Sequence, residues 1–204
     1  MKNFSKAGLL IITLVIPALI FIFLKFFARN HYDLPYFNAE YDSAGTVVKQ
    51  NGDTVFHAVS DQIFVGKQVG FAGKLTIIHY LPENCGDSCK LAISQLQRIA
   101  ALHSEIPELN VMTLAGDLDK QSTALRGANG KDWSMLRYPG SEITTFLEDE
   151  LGVNASELLN YQDLIVLVDS KRYVRGYYRG ADPEEIDRLM AEIKILAYEG
   201  KPNQ

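Results

Sequence analysis

The chain has 204 residues and a formal net charge of −5, room for one ordinary domain plus a short appendage. Charges of both signs are spread along it, and no basic block stands outside the N-terminal segment, which argues against a nucleic-acid partner. The composition is globular rather than disordered, and two cysteines are too few for a disulfide-built scaffold.

The first segment with a clear physical meaning is Ala7 to Leu24 (AGLLIITLVIPALIFIFL), which carries no charge and is bracketed by Lys6 and Lys25. Apolar character resumes at Phe26, Phe27 and Ala28. A helix from residue 7 to residue 28 is roughly 33 Å long at about 1.5 Å per residue, enough for a bilayer core of about 30 Å. Lys25 can snorkel to the headgroups, and Pro17 is tolerable in a membrane helix. A cleaved signal peptide is the competing expectation. Against it, the apolar run is long, bulky residues stand where a small-residue cleavage site is needed, and there is no lipobox cysteine. The expected organisation is a tail over 1–6, a transmembrane anchor over 7–28, a linker over 29–45, one folded domain over 46–198 and a tail over 199–204. Lys2 and Lys6 nearly balance Lys25 and Arg29, so charge alone does not orient the helix. A cytoplasmic N-terminus places both cysteines in an oxidising compartment, giving a single-pass protein with its soluble domain on the periplasmic side.

After the linker, Val47-Val48 and Val55-Phe56 flank Asn51-Gly52 and predict a β-hairpin. Gln62 to Val65 is a further short segment. Leu75 to Leu81 (LTIIHYL) predicts a buried strand, and the cysteines follow it. Ile93, Leu96, Ile99, Ala100 and Leu102 then recur at helical spacing. Leu109 to Leu114 predicts a second strand, Trp133 to Tyr138 a short extended piece, and Ser141 to Leu151 a helix. Leu164 to Val168 (LIVLV) predicts a third strand, turned by Asp169-Ser170-Lys171-Arg172 into a fourth over Tyr173 to Tyr178. The last helix has Asp182 as N-cap, Pro183 in its first turn and Glu185 at the capping-box position, followed by the stripe Ile186, Leu189, Met190, Ile193, Leu196. Strand–helix–strand crossovers imply a parallel pair, and the closing hairpin adds an antiparallel strand. The predicted class is α/β, a thioredoxin-like mixed sheet with an N-terminal β-hairpin, preceded by a single transmembrane helix.

Cys85-Gly86-Asp87-Ser88-Cys89 is a C-x3-C motif at the junction of the first core strand and its helix. If the helix starts near Cys85, the two thiols stand at i and i+4 on one face. Its N-terminus, with free N–H groups and the positive end of the dipole, favours thiolate; Asp87 works mildly against this. Such a pair can close and reopen as a disulfide by exchange, or grip a soft ion such as Cu(I). The alternatives are a structural disulfide or two unrelated buried thiols. A bridge closing so short a loop adds little stability, because the entropic gain grows with loop length.

These residues resemble the SCO/SenC family, thioredoxin-fold assembly factors that deliver copper to cytochrome c oxidase. Gly52-Asp53-Thr54-Val55-Phe56-His57 is similar to the entry segment of bacterial members. Gly73-Lys74 before a hydrophobic strand, then C-x3-C, is similar to the family's metal and redox loop. Leu167-Val168-Asp169, Arg175-Gly176-Tyr177-Tyr178 and Glu184 to Leu189 look like its closing strands and helix. The resemblance implies redox or Cu(I) chemistry at Cys85 and Cys89, membrane attachment through the N-terminal helix, and a protein partner with thiols or a copper site, such as an oxidase subunit.

The chain departs from the family pattern in two places. Gly86 stands where a proline usually follows the first cysteine, and Tyr161 stands where the family carries its copper-ligand histidine. Asn160, Gln162 and Asp163 do not replace an imidazole for Cu(I). Of the four histidines, His31 falls in the linker, His57 in the hairpin, and His103 at a helix end where an imidazolium suits the dipole. His79, on the strand leading to Cys85, is the one candidate stand-in ligand, against the ordinary role of a core histidine. Asp117 and Asp119 are expected to form a capping loop, Trp133 to pack, and Tyr177 and Tyr178 to be strand residues. Three functions follow: an oxidase assembly factor, a metal-free membrane-tethered thiol–disulfide oxidoreductase, or a non-catalytic interaction module on the same scaffold.

Overall fold

The computed structural model describes residues 8, 13–23, 33–61, 70–82, 85–116, 133–154 and 163–200. The chain divides into two units, Met1–Asp33 and Leu34–Gln204. In the first, residues 13–23 form helix α1, and these residues are exposed along its whole length, including Leu14, Leu19, Ile20, Phe21 and Phe23. Among the described residues no helix is long and apolar enough to cross a membrane. Both ends of the expected 7–28 span lie outside the described residues except for residue 8.

The second unit is built on five strands in the order β5-β4-β3-β6-β7. They are β3 (Leu75–Leu81), β4 (Leu109–Ala115), β5 (Trp133–Arg137), β6 (Leu164–Val168) and β7 (Val174–Arg179). β3, β4 and β5 run parallel to one another, whereas β6 is antiparallel to both β3 and β7. The central strands are buried on both faces, which is why LTIIHYL and LIVLV read as continuous apolar runs rather than alternating ones. A parallel neighbour needs a crossover, and helix α2 (Asp87–Ala101) supplies it between β3 and β4. Antiparallel β6 and β7 need only a tight turn. There Asp169 Oδ1 accepts from the N–H groups of Lys171 and Tyr173, each at 2.9 Å. Arg172 takes the left-handed conformation, with φ 74°.

Two cores sandwich the sheet. On one face, α2 and the C-terminal helix α4 (Pro183–Glu199) bury Cys89, Ile93, Leu96, Ile99, Ile186, Leu189 and Ile193 against Leu75, Ile77, Leu81, Ile165 and Leu167. On the other, helix α3 (Gly140–Thr145) and a π-helical turn (Phe146–Glu150) bury Ile143, Phe146 and Leu147 against Ile78, Met112, Leu114 and Val166. The N-terminal hairpin pairs β1 (Lys49–Gln50) with β2 (Asp53–Thr54). Asn51 and Gly52 both have positive φ, 54° and 97°, as a two-residue turn with the right twist requires.

Several segments differ from their sequence-based description. Trp133–Arg137 is a full parallel edge strand, not merely an extended piece. The Ser141–Leu151 helix divides into α3 and the π turn. Leu34 to Ala44, expected as linker, packs against the domain. Arg175 donates from Nε to the Pro35 carbonyl at 3.0 Å and from Nη2 to the Leu34 carbonyl at 2.6 Å, and Ala39 pairs with Phe56. These contacts use backbone groups, so the polar composition of the segment gave no sign of them. Asp182 does cap α4, accepting from Glu184 N–H at 3.0 Å, but Glu185 turns to Arg188 instead of closing a capping box. Gln62 to Val65 lies outside the described residues.

Candidate functional site

β3 leads to Pro82 at the C-terminal edge of the sheet; Cys85 and Gly86 then bring the chain to α2, which begins at Asp87. Gly86 is the N-cap, with extended φ and ψ of −75° and −166° and no side chain to cap with. Cys85 therefore precedes the helix, and Cys89 is its third residue; the helix starts two residues later than a start at Cys85 would have it. The pair still meets. Cys85 and Cys89 form a disulfide with Cα atoms 5.2 Å apart.

The two sulfur-bearing residues differ in access. Cys89 is fully buried among the apolar residues of the α2–α4 face, whereas Cys85 is half-buried and packs on the margin of the same cluster. An incoming thiolate thus has one sulfur to attack. The attack is favoured by the helix end: the N–H groups of the first turn have no intrahelical partner, and their positive field stabilises a thiolate released beside them. The Asp87 carboxylate sits in that turn but points into solvent and pairs with Lys90 Nζ at 3.3 Å, so water screens its opposing charge.

His79 lies on β3, six residues before Cys85, and is wholly buried. It has the same parity along β3 as Ile77 and Leu81, which face the α2–α4 core, whereas Ile78 faces the other. It therefore shares a layer with Cys89. Among the described residues neither ring nitrogen has a hydrogen-bond partner, and burial pushes its pKa down from 6.5 to about 4, so the imidazole is neutral. The cross-strand neighbours of His79 are Thr113 and Ile165. Thr113 Oγ1 accepts from Trp133 Nε1 at 2.9 Å, which makes Trp133 a buried packing residue with its polar tip satisfied.

The other two described histidines, His57 and His103, are engaged elsewhere. His57 Nε2 lies 2.9 Å from Glu150 Oε2, and the same oxygen accepts from Ser60 N–H at 2.7 Å, tying the hairpin region to the π turn. His103 Nδ1 lies 2.8 Å from the Leu109 carbonyl. Tyr177 and Tyr178 are β7 residues; the Tyr177 hydroxyl donates to the Leu151 carbonyl at 2.6 Å, and that of Tyr178 to Glu192. Asp163 is buried and accepts from Ala181 N–H at 2.9 Å. His31, Asp117, Asp119, Asn160, Tyr161 and Gln162 lie outside the described residues. Among the described residues no three His, Cys, Asp or Glu side chains are grouped to hold a metal ion. As a disulfide the two sulfurs offer no thiolate to a metal ion; reduction would supply the pair of soft donors that Cu(I) takes.

A mixed sheet with a redox-capable pair at the end of its central strand and the start of the next helix defines a thioredoxin-like fold. No family model matches the sequence, and no curated protein does. Solved structures that match include SCO1/SenC family proteins and a thioredoxin-fold relative. A SCO1/SenC family lipoprotein from Bacillus anthracis matches with TM-score 0.54 and 15% identity, over 81% of this chain and 98% of that one. BsSco, a member of the Sco family of cytochrome c oxidase assembly proteins in which a disulfide switch was identified, matches with TM-score 0.54 and 15% identity, over 81% of this chain and 97% of that one. A candidate protein disulfide isomerase from Bacteroides thetaiotaomicron matches with TM-score 0.50 and 19% identity, over 82% of this chain and 95% of that one. At these identities the likeness establishes the shared fold.

Proposed function

We propose that the chain is a membrane-tethered thiol–disulfide exchange protein acting on cysteine pairs of a partner protein on the extracytoplasmic side. The observation that carries this is the asymmetry of the pair: an accessible Cys85 bonded to a buried Cys89 at a helix N-terminus. In the reducing direction the Cys85 thiolate attacks a partner disulfide, and the partner's other sulfur leaves as thiolate. Cys89 then attacks Cys85, closes the internal disulfide and releases the second partner thiol. Membrane attachment is supported by α1, whose apolar residues face outward along its described length; a helix apolar all round needs an apolar environment. The extracytoplasmic placement follows from the redox requirement of the pair.

A second proposal is assembly of cytochrome c oxidase, by keeping the thiols of its copper site reduced or by handling copper. The SCO1/SenC neighbours favour it over exchange on an unrelated partner. Exchange chemistry needs only the two sulfurs, so no step above involves copper.

Cysteine variants of the full chain in detergent micelles test the exchange step, with glutathione disulfide as probe. Cys89→Ala should accumulate a stable mixed disulfide at Cys85, and Cys85→Ala should form at least tenfold less. Equal capture by the two variants, or capture by neither, would contradict the assigned roles.

A further inference from the structure

The folded unit receives its chain at one end of the sheet and offers its redox pair at the other. β3 runs from Leu75 towards Cys85, and β6 runs the opposite way. Val168 therefore pairs with Thr76, and Asp169 follows at the end where β3 begins. Tyr36, Leu75, Asp169 and Arg175 line one small cavity there. At the same end Arg175 holds the backbone carbonyls of Leu34 and Pro35. We infer that Arg175 is a clamp on the entering chain, and that it restricts the redox pair to partner disulfides projecting well clear of the membrane. This rests on the exchange chemistry and the membrane attachment proposed above.

A β-bulge aims the clamp. Leu167 pairs with Gly176 and Val168 with Val174, which leaves Arg175 as the extra residue of β7. A bulge takes its extra residue out of the regular alternation and re-aims the side chain. Arg175 Nη1 donates to Asp169 Oδ2 at 2.9 Å, and both side chains are only 5% exposed. A buried guanidinium needs partners for its remaining donors as well as a counter-charge. The Leu34 and Pro35 carbonyls supply them, so the ion pair and the entering chain hold each other in place. The guanidinium also lies 3.9 Å over the Tyr36 ring. Tyr36 in turn stacks on Phe56, with centroids 5.3 Å apart, and meets Tyr173 edge-on at 5.6 Å. Leu34 packs on the margin of the α2–α4 core. The next fixed point along the chain is Phe37, whose N–H donates to the Val174 carbonyl at 2.9 Å.

Lengths decide what the clamp does. The seven residues of β3 cover about 20 Å, and Cys85 lies beyond their end. From Ala28, the last residue of the expected membrane span, to Leu34 the chain reaches at most about 21 Å when fully extended. With Leu34 clamped, the pair can come down to the bilayer only if that whole stretch is drawn taut along the side of the sheet. Such a state gives up nearly all the conformational freedom of the stretch. Freeing Leu34, Pro35 and Tyr36 moves the fixed point to Phe37 and adds about 10 Å of reach. The partner that suits the clamped form is a water-exposed protein domain whose cysteine pair stands above the headgroups, not a cysteine at the end of a membrane span.

The test uses the reduced full chain in phosphatidylcholine vesicles. The probes are two pyridyl disulfides on phosphatidylethanolamine. One is joined directly to the headgroup, the other through a polyethylene glycol spacer long enough to clear the domain, and pyridinethione release is followed. Wild type should react at least tenfold faster with the spaced probe. Arg175→Lys keeps a charge beside Asp169 but gives up the fork that grips both carbonyls. It should cut that ratio at least threefold while leaving the rate on soluble glutathione disulfide within twofold of wild type. A merely structural role would slow or speed all three reactions together. Equal rates on the two lipid probes in wild type, or an undiminished ratio in folded Arg175→Lys, would overturn the inference. If Arg175→Lys fails to fold, a flexible Gly-Ser insertion between Asn30 and His31 decides. The insertion should collapse the ratio, and an unchanged ratio would overturn the inference. No reaction with soluble glutathione disulfide would instead sink the exchange chemistry, and a chain that does not float with the vesicles would sink the membrane attachment.

Discussion

His79 shows how one residue links folding to acid sensitivity. An exposed imidazole in the unfolded chain titrates near 6.5, whereas burial holds the folded group at about 4. Between those values the unfolded chain binds a proton that the folded chain refuses. The stability contribution is therefore complete above pH 6.5 and is lost as pH falls through about 4, by roughly 3 kcal/mol in all. Denaturant midpoints measured from pH 7 to pH 4 should show this loss in the wild-type chain and not in His79→Leu; equal slopes in the two proteins would contradict it. The strand and the histidine on it were legible in the sequence, whereas the lack of partners for its ring among the described residues was not. That depends on which groups Thr113, Ile165 and Cys89 leave free across the layer, and those come from three separate elements. Cys85 and Cys89 were legible for the opposite reason. Their chemistry depends on a local spacing and on a strand-to-helix junction, both visible in a short stretch of chain.

At the scale of elements, the position of Cys89 depends on how closely α2 sits on the sheet. Gly180, just after β7, makes that approach possible. A Cβ there would meet Ala92 Cβ at 2.6 Å, the Asp163 carbonyl oxygen at 2.9 Å and Ile165 Cδ1 at 3.0 Å. Gly180→Ala should therefore push α2 outward and cost about 1–3 kcal/mol as overpacking. The denaturant midpoint should fall, and Cys89 of the reduced chain should become faster to alkylate. An unchanged midpoint would show that the contact is slack. The regular elements were readable from periodicity, notably β3, β4, β6 and α4. The edge strand β5 was not identified as a strand. Of its five residues only Trp133 is buried, so its short sequence lacks the apolar run that marked β3 and β6. The π turn was also missed, because an extra residue in a helical turn leaves the composition unchanged and shows only in the backbone hydrogen bonds. The segment before β1 was missed for a related reason: Arg175, more than a hundred residues away, holds it by its carbonyls.

For the whole molecule, a small mixed sheet with both faces covered presents its redox pair at one end of the central strand. The fold leaves Cys85 half-buried at the margin of the α2–α4 core and Cys89 fully buried within it. A redox titration of the full chain in micelles tests this account most directly, with thiols counted by mass after alkylation across a series of glutathione buffers. The account predicts one two-electron transition, in which both cysteines change together while the domain stays folded. A pair that opens only on unfolding, or that never closes under oxidising buffer, would contradict it.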